Sequence, residues 1–190
     1  MAPTSLTELQ RRQLLKLAKN SIRHGLRTGR PPAVDPADFP SELAELRATF
    51  VTLHKKHQLR GCIGLLKASR PLAVDVSENA FAAAFKDPRF PPVEESEFNE
   101  LEIHISILTP AEPLPFASEQ DLIERLQPGV DGLILEEGNR RGTFLPSVWQ
   151  SLPKPRDFLR QLKQKAGLPQ DYWSDRIRVS RYRTEEFSET

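Results

Sequence analysis

Seventeen prolines, spread along the 190 residues instead of gathered into a repeat, cut this chain into short segments and limit every element it can form. Their usage is about twice the average of roughly 5%. They are densest at Pro31, Pro32, Pro36 and Pro40, at Pro88, Pro91 and Pro92, at Pro110, Pro113 and Pro115, and at Pro153 and Pro155. Between these breaks the apolar pattern changes period, and each change predicts a different element.

From Leu6 to Leu26 the period is helical, with Leu14, Leu17, Ala18, Ile22 and Leu26 on one side, and Thr7 with Gln10 forms a capping box. Gly29 stops that helix. ATFVTLHK (48–55) and LRGCIGLL (59–66) alternate as two strands of a hairpin. In this pairing Val51 and Leu53 lie with Leu59, Ile63 and Leu65, while Thr52, His54, Arg60 and Cys62 share the other face.

RPLAVDVSENAFAAAFKDP then predicts a helix that starts at Pro71 and ends before Pro88. It is apolar on two sides, with a narrow polar strip of Asp75, Asn79 and Lys86. LEIHISIL (101–108) alternates as a strand, Ser118 opens a short helix through Leu126, and residues 131–146 form a second hairpin turning near Gly138 and Asn139. A helix from Pro155 to Lys165 closes at Gly167, and residues 176–187 predict one final strand. Hairpins mixed with helices predict an α+β fold, mostly antiparallel sheet with flanking helices, and the strand–helix–strand pattern in both halves allows an internal duplication.

The formal charge of +1 supplies no bulk field toward nucleic acid or a membrane. The opening residues lack the apolar core of a signal peptide, and no stretch approaches a spanning helix. With a single cysteine, an internal disulfide and zinc sites built on two or four thiols are both excluded, and a cytoplasmic location is expected. Phosphate-binding loops, dinucleotide fingerprints, HExxH and CxxC are absent from the sequence.

LRGCIG (59–64), KDPRFPP (86–92), LEIHISIL before TPAEPL, GVDGLIL, RGTFLPSVW and KAGLPQDYW together resemble the AMMECR domain family, including AmmeMemoRadiSam system protein A, from about Leu14 to Phe187. The resemblance implies one domain over 1–190, α+β, with two closely packed subdomains around a cleft lined by LRGCIG. Residues 1–13 and 188–190 are expected as flexible ends. It implies a Memo-like protein and a radical SAM protein as partners and names no cofactor. Carried onto this chain, the motif residues are Leu59 to Gly64, Asp87, Arg89, Phe90, Asp131, Gly132 and Thr143 to Pro146. Many members have glutamate where this chain has His104.

Two readings of Cys62 stay open from the residues. Arg60 on the same strand face would favour its thiolate, with His54 as a base; alternatively Cys62 is one more small buried residue. Gly61 and Gly64 leave room either for a ligand or for tight packing. Asp87, Arg89 and Phe90 can hold an anionic group or merely anchor their loop. His104 completes the face, and Thr143 and Phe144 are carried as ligand-binding candidates. A three-ligand metal site from Cys62, His54 and His104 is a weak reading, and no metal is assigned.

The function expected is that of an accessory or small-ligand-binding protein. One alternative is a Cys62-dependent transferase or hydrolase acting on a small or nucleic-acid-derived substrate. A weaker alternative is a nucleic-acid-binding module using Arg140, Arg141, Arg176, Arg178, Arg181, Arg183 and Tyr182.

Overall fold

A computed structural model describes residues 5–189. In chain order the elements are α1 (Glu8–Thr28), α2 (Ser41–Ala44), β1 (Ala48–Lys55), β2 (Gln58–Gly64), α3 (Leu72–Phe85), β3 (Leu101–Leu108), β4 (Glu112–Pro113), α4 (Glu119–Arg125), β5 (Gly132–Glu137), β6 (Arg140–Phe144), α5 (Pro155–Lys165), β7 (Arg178–Tyr182) and β8 (Thr184–Ser188). The architecture is α+β, with two open four-stranded sheets whose recorded pairings are antiparallel. Among the described residues no helix is long and apolar enough to cross a membrane.

The chain divides into two compact units, one running through Thr109 and resuming at Glu185, the other spanning Pro110–Thr184. In the first unit the sheet order is β2-β1-β3-β8. Val51, Leu53, Ile103, Ile105 and Ile107 point into a core shared with α1 and α3, because strand alternation places all five on one face. α3 is buried on nearly all sides, packed on α1 and on β1 and β2. Of its expected polar strip, only Lys86, just beyond the helix, is exposed. Asp75 and Asn79 are buried, with Thr49 donating to Asp75 at 2.7 Å, Arg70 to Asp75 at 2.8 Å and Asn79 to the Thr49 carbonyl at 3.1 Å.

The capping box forms as the spacing predicts: Gln10 N–H donates to Thr7 at 3.2 Å and Thr7 N–H to Gln10 at 2.9 Å. The first helix therefore starts at Glu8. Leu6 is buried, and β8 continues through Ser188. Residues 1–4 and 190 of the expected flexible ends lie outside the described residues.

In the second unit the order is β4-β7-β5-β6, and the core gathers around Trp149 stacked on Phe158 at 3.7 Å between ring centroids. The expected single strand over 176–187 is corrected. It breaks at Arg183, so that β7 pairs with β4 and β5 while β8 joins the sheet of the first unit. The alternation set by Ile177 and Val179 shifts by one at the buried Tyr182, and just beyond it the hydrogen-bonding partners change.

Candidate functional site

β2 is an edge strand, and its sequence LRGCIG shows how that edge is closed. Thr52 pairs with Cys62, Leu53 with Gly61 and His54 with Leu59, which leaves Arg60 as an extra residue in a bulge. The bulge changes the faces expected from simple alternation. Leu59 becomes an exposed neighbour of His54, and Leu65, beyond the strand, is exposed as well. Arg60 turns away from Cys62: its guanidinium is nearly buried and donates twice to Glu97, at 3.0 and 3.1 Å.

Glu97 sits in the 3-10 turn Glu95–Glu100 and also accepts from Lys55 at 3.1 Å. Hydrogen bonds from Arg60, the Glu94 main chain and Lys55 hold its pKa at about 2, below its usual 4.5, against the opposing cost of burial. The short local sequence EESEFNE carries no sign of this partnership. Arg60 is thus a framework cation, and the expected Arg60–Cys62 activation is replaced by an Arg60–Glu97 clamp.

The cation within electrostatic reach of Cys62 is Arg89. Both are organised by Asp87, which is buried at the end of α3. Its Oδ2 accepts the Cys62 N–H at 3.0 Å and Arg89 Nη2 at 2.7 Å; its Oδ1 accepts Arg89 N–H and Nε, each at 3.0 Å. The Arg89 bond first, with the two main-chain bonds behind it and burial opposing, holds the Asp87 carboxyl well below the usual carboxylate range. Arg89 is raised by the same bond. Its side chain remains 55% exposed, so one end of the pair is wet and the other dry.

Because the Cys62 N–H points outward to Asp87, Thr52 and Cys62 form the narrow, non-hydrogen-bonded kind of antiparallel pair, in which side chains approach most closely. Thr52 Oγ1 and Cys62 Sγ are 3.2 Å apart. Thr52 is therefore the sulfur's partner, and the expected His54–Cys62 dyad is not formed. His54 instead meets His104 edge-on at 4.7 Å between centroids, and its Nδ1 is buried without a partner. Burial chiefly lowers the His54 pKa, with His104 adding to it and Glu102 opposing. Among the described residues no group of three histidine, cysteine or acidic side chains is placed to hold a metal ion.

The two glycines serve packing. A Cβ on Gly61 would lie 2.1 Å from the Ala83 carbonyl oxygen, and one on Gly64 would lie 2.4 Å from both the Phe50 ring and the Thr49 carbonyl. The space that a ligand was expected to use is filled by α3 and by Phe50. The Phe90 ring lies near two guanidinium groups, 5.4 Å from Arg89 and 6.0 Å from Arg60.

Residues 15–187 match the AMMECR1 family. The chain belongs to the AMMECR1 family. A protein of Methanothermobacter thermautotrophicus is 40% identical over 184 residues, covering 94% of this chain and 93% of that relative. A protein of Thermotoga maritima is 37% identical, covering 91% and 93%. The crystal structure of an uncharacterized protein from Pyrococcus horikoshii is similar at a TM-score of 0.86 and 35% identity, covering 93% of this chain and 90% of that one.

The remaining AMMECR1-family motif residues make their contacts inside the second unit. Thr143 donates to the Leu133 carbonyl at 2.8 Å and lies 3.0 Å from the Tyr182 hydroxyl, while Phe144 packs edge-on against Phe158. The Asp131 carbonyl accepts from Trp149 Nε1 at 2.8 Å. Thr143 and Phe144 thus hold their hairpin to its neighbours. Two of the arginines expected as a basic concentration also have local partners: Arg140 donates to the Gly167 carbonyl, and Arg141 lies 3.6 Å from Glu136.

Proposed function

We propose that this AMMECR1-family chain is an accessory protein that binds a small anionic molecule beside the β2 edge, in concert with the Memo-like and radical SAM proteins that the family resemblance implies. The Asp87 clamp carries the reading. It fixes the Cys62 main chain at one end and presents a half-exposed Arg89 at the other. Two of the guanidinium nitrogens bind Asp87; among the described residues Nη1 has no partner and is available to a carboxylate or phosphate. Phe90 supplies an apolar wall beside it. Among the described residues the polar partner of the thiol is Thr52 and not a base, and this reading gives the chemistry to the partners.

The test is reconstitution of the three proteins with wild-type, Cys62→Ser and Arg89→Ala chains, following complex formation and turnover by the radical SAM partner. Cys62→Ser is expected to work at the wild-type level and Arg89→Ala to lose at least tenfold. No complex and no effect on turnover would remove the proposal.

A second reading has one observation in its favour. With Thr52 Oγ1 3.2 Å from Cys62 Sγ, a donated hydroxyl proton would steady a thiolate, as a nucleophile requires. It predicts fast alkylation of Cys62 near neutral pH, slowed in Thr52→Val. Equal rates in both proteins would discard it.

A further inference from the structure

In the C-terminal half of α1, Leu17, Asn20, His24 and Arg27 follow one another at about one turn each, with Arg23 beside them. The chain then returns along this stripe, and its return is tied to the helix end. His24 Nδ1 donates to the Arg30 carbonyl at 2.8 Å, and Thr28 Oγ1 donates to the same oxygen at 3.1 Å. Further on, Asp35 opens the 3-10 turn Pro36–Asp38: its Oδ1 accepts the Ala37 N–H at 2.9 Å, and the Phe39 N–H donates to the Pro36 carbonyl at 3.2 Å. Prolines at 31, 32, 36 and 40 restrict the same segment, so its shape is set before any ligand arrives.

Between the helix and this segment lies a groove of about 490 Å³. Its floor is Leu17, Val34 and Phe39, which pack on the core of the first unit. The helix contributes Arg23 and Arg27 to its lining, and the returning segment contributes Asp35 and Asp38. Among the described residues none of these four is in an ion pair, with one another or with any other group. Arg23 rests on the Phe98 ring at 4.9 Å, and Asp35 keeps one carboxylate oxygen clear of the turn that the other caps. A lone exposed charge is satisfied by water. Two charges of each sign, flanking one apolar floor without meeting, match a molecule of the complementary pattern.

We propose that this groove binds a small aliphatic molecule with an ammonium at one end and a carboxylate at the other, an ω-amino acid. The carboxylate meets Arg23 and Arg27, the ammonium meets Asp35 and Asp38, and the methylenes lie on Leu17, Val34 and Phe39. A groove of this volume is about 8 Å across. Roughly six bonds of extended chain, the separation of nitrogen and carboxyl carbon in 6-aminohexanoate, span about 7 Å. An α-amino acid holds both charges on one carbon and cannot reach both walls. The site shares no residue with the Asp87 clamp.

The test is calorimetric titration of the full chain with 6-aminohexanoate, beside hexanoate, hexylamine and glycine. The expected result is saturable binding with a Kd below about 1 mM, at least tenfold tighter than for any of the other three. Arg27→Gln and Asp35→Asn/Asp38→Asn are each expected to weaken it at least tenfold. The asparagine at 35 keeps an acceptor for the turn, and circular dichroism checks that the fold is kept. Arg89→Ala is expected to change nothing. Weaker or absent binding of 6-aminohexanoate overturns the proposal, as does any of the other three probes within tenfold of it. Unaltered binding by the groove variants, or a loss in Arg89→Ala, would place the probe elsewhere and overturn it equally.

Discussion

The main-chain N–H of Cys62 donates to the buried carboxylate of Asp87 across 3.0 Å, tying the edge strand to the loop that follows α3. An edge strand presents outward amides, and this one is capped by a side chain that is itself held by Arg89. Asp87→Ala leaves the Cys62 amide and the Arg89 main chain without their acceptor. The expected loss is about 2–4 kcal/mol, read from urea unfolding, with faster native-state alkylation of Cys62 as the edge loosens. Arg89→Ala leaves the acceptor in place and is expected to cost less. Equal losses in the two variants would show that the ion pair, and not the cap, holds the edge.

Gly61 is required by the approach of α3. Gly61→Ala drives a Cβ into the Ala83 carbonyl, a backbone atom that cannot rotate aside. A destabilisation of about 3 kcal/mol is expected, whereas Gly138→Ala, at a turn with open space around it, pays only for its positive φ of 60°. Thermal unfolding of the two variants side by side checks the ranking.

The turn joining β1 and β2 holds Lys56 and His57 at φ 52° and 63°, a left-handed pair that favours Asn-Gly. His57→Gly relieves one strained residue and is expected to stabilise the protein by about 1 kcal/mol. A lower urea midpoint for this variant would mean that the His57 side chain contributes more than its backbone costs.

His54 makes stability depend on pH. The folded His54 pKa lies below its usual 6.5, so between the two values the unfolded chain binds the extra proton. Its contribution to stability is therefore complete above about pH 6.5 and falls as the pH drops toward the folded value. Glu102 and His57 also act on the ring, but burial and His104 dominate the lowering. His104→Glu exchanges a group that lowers the His54 pKa for an anion and is expected to raise it, measured by NMR titration of the ring protons. An unchanged midpoint would leave burial as the whole cause.

The sequence alone determined most of the longer elements and their limits, but not α2, β4 or the division of β7 from β8. LEIHISIL became β3 over the same eight residues, Thr7 and Gln10 formed the capping box, and β1 and β2 paired as a hairpin. These follow from local periods and local hydrogen bonds, which a short window contains. Through the family resemblance the sequence also named Cys62, Asp87, Arg89 and Phe90, within a wider set that included Arg60, His54, His104, Thr143 and Phe144.

Only the tertiary structure decided how those residues face one another. One bulged residue turned Arg60 from Cys62 to Glu97, 37 positions away, and a stretch that reads as one strand divided at Arg183 between two sheets. Alternation fixes which side chains share a face. It says nothing about which strand supplies the next hydrogen bond, or where a bulge resets the count, because both depend on partners remote in the chain.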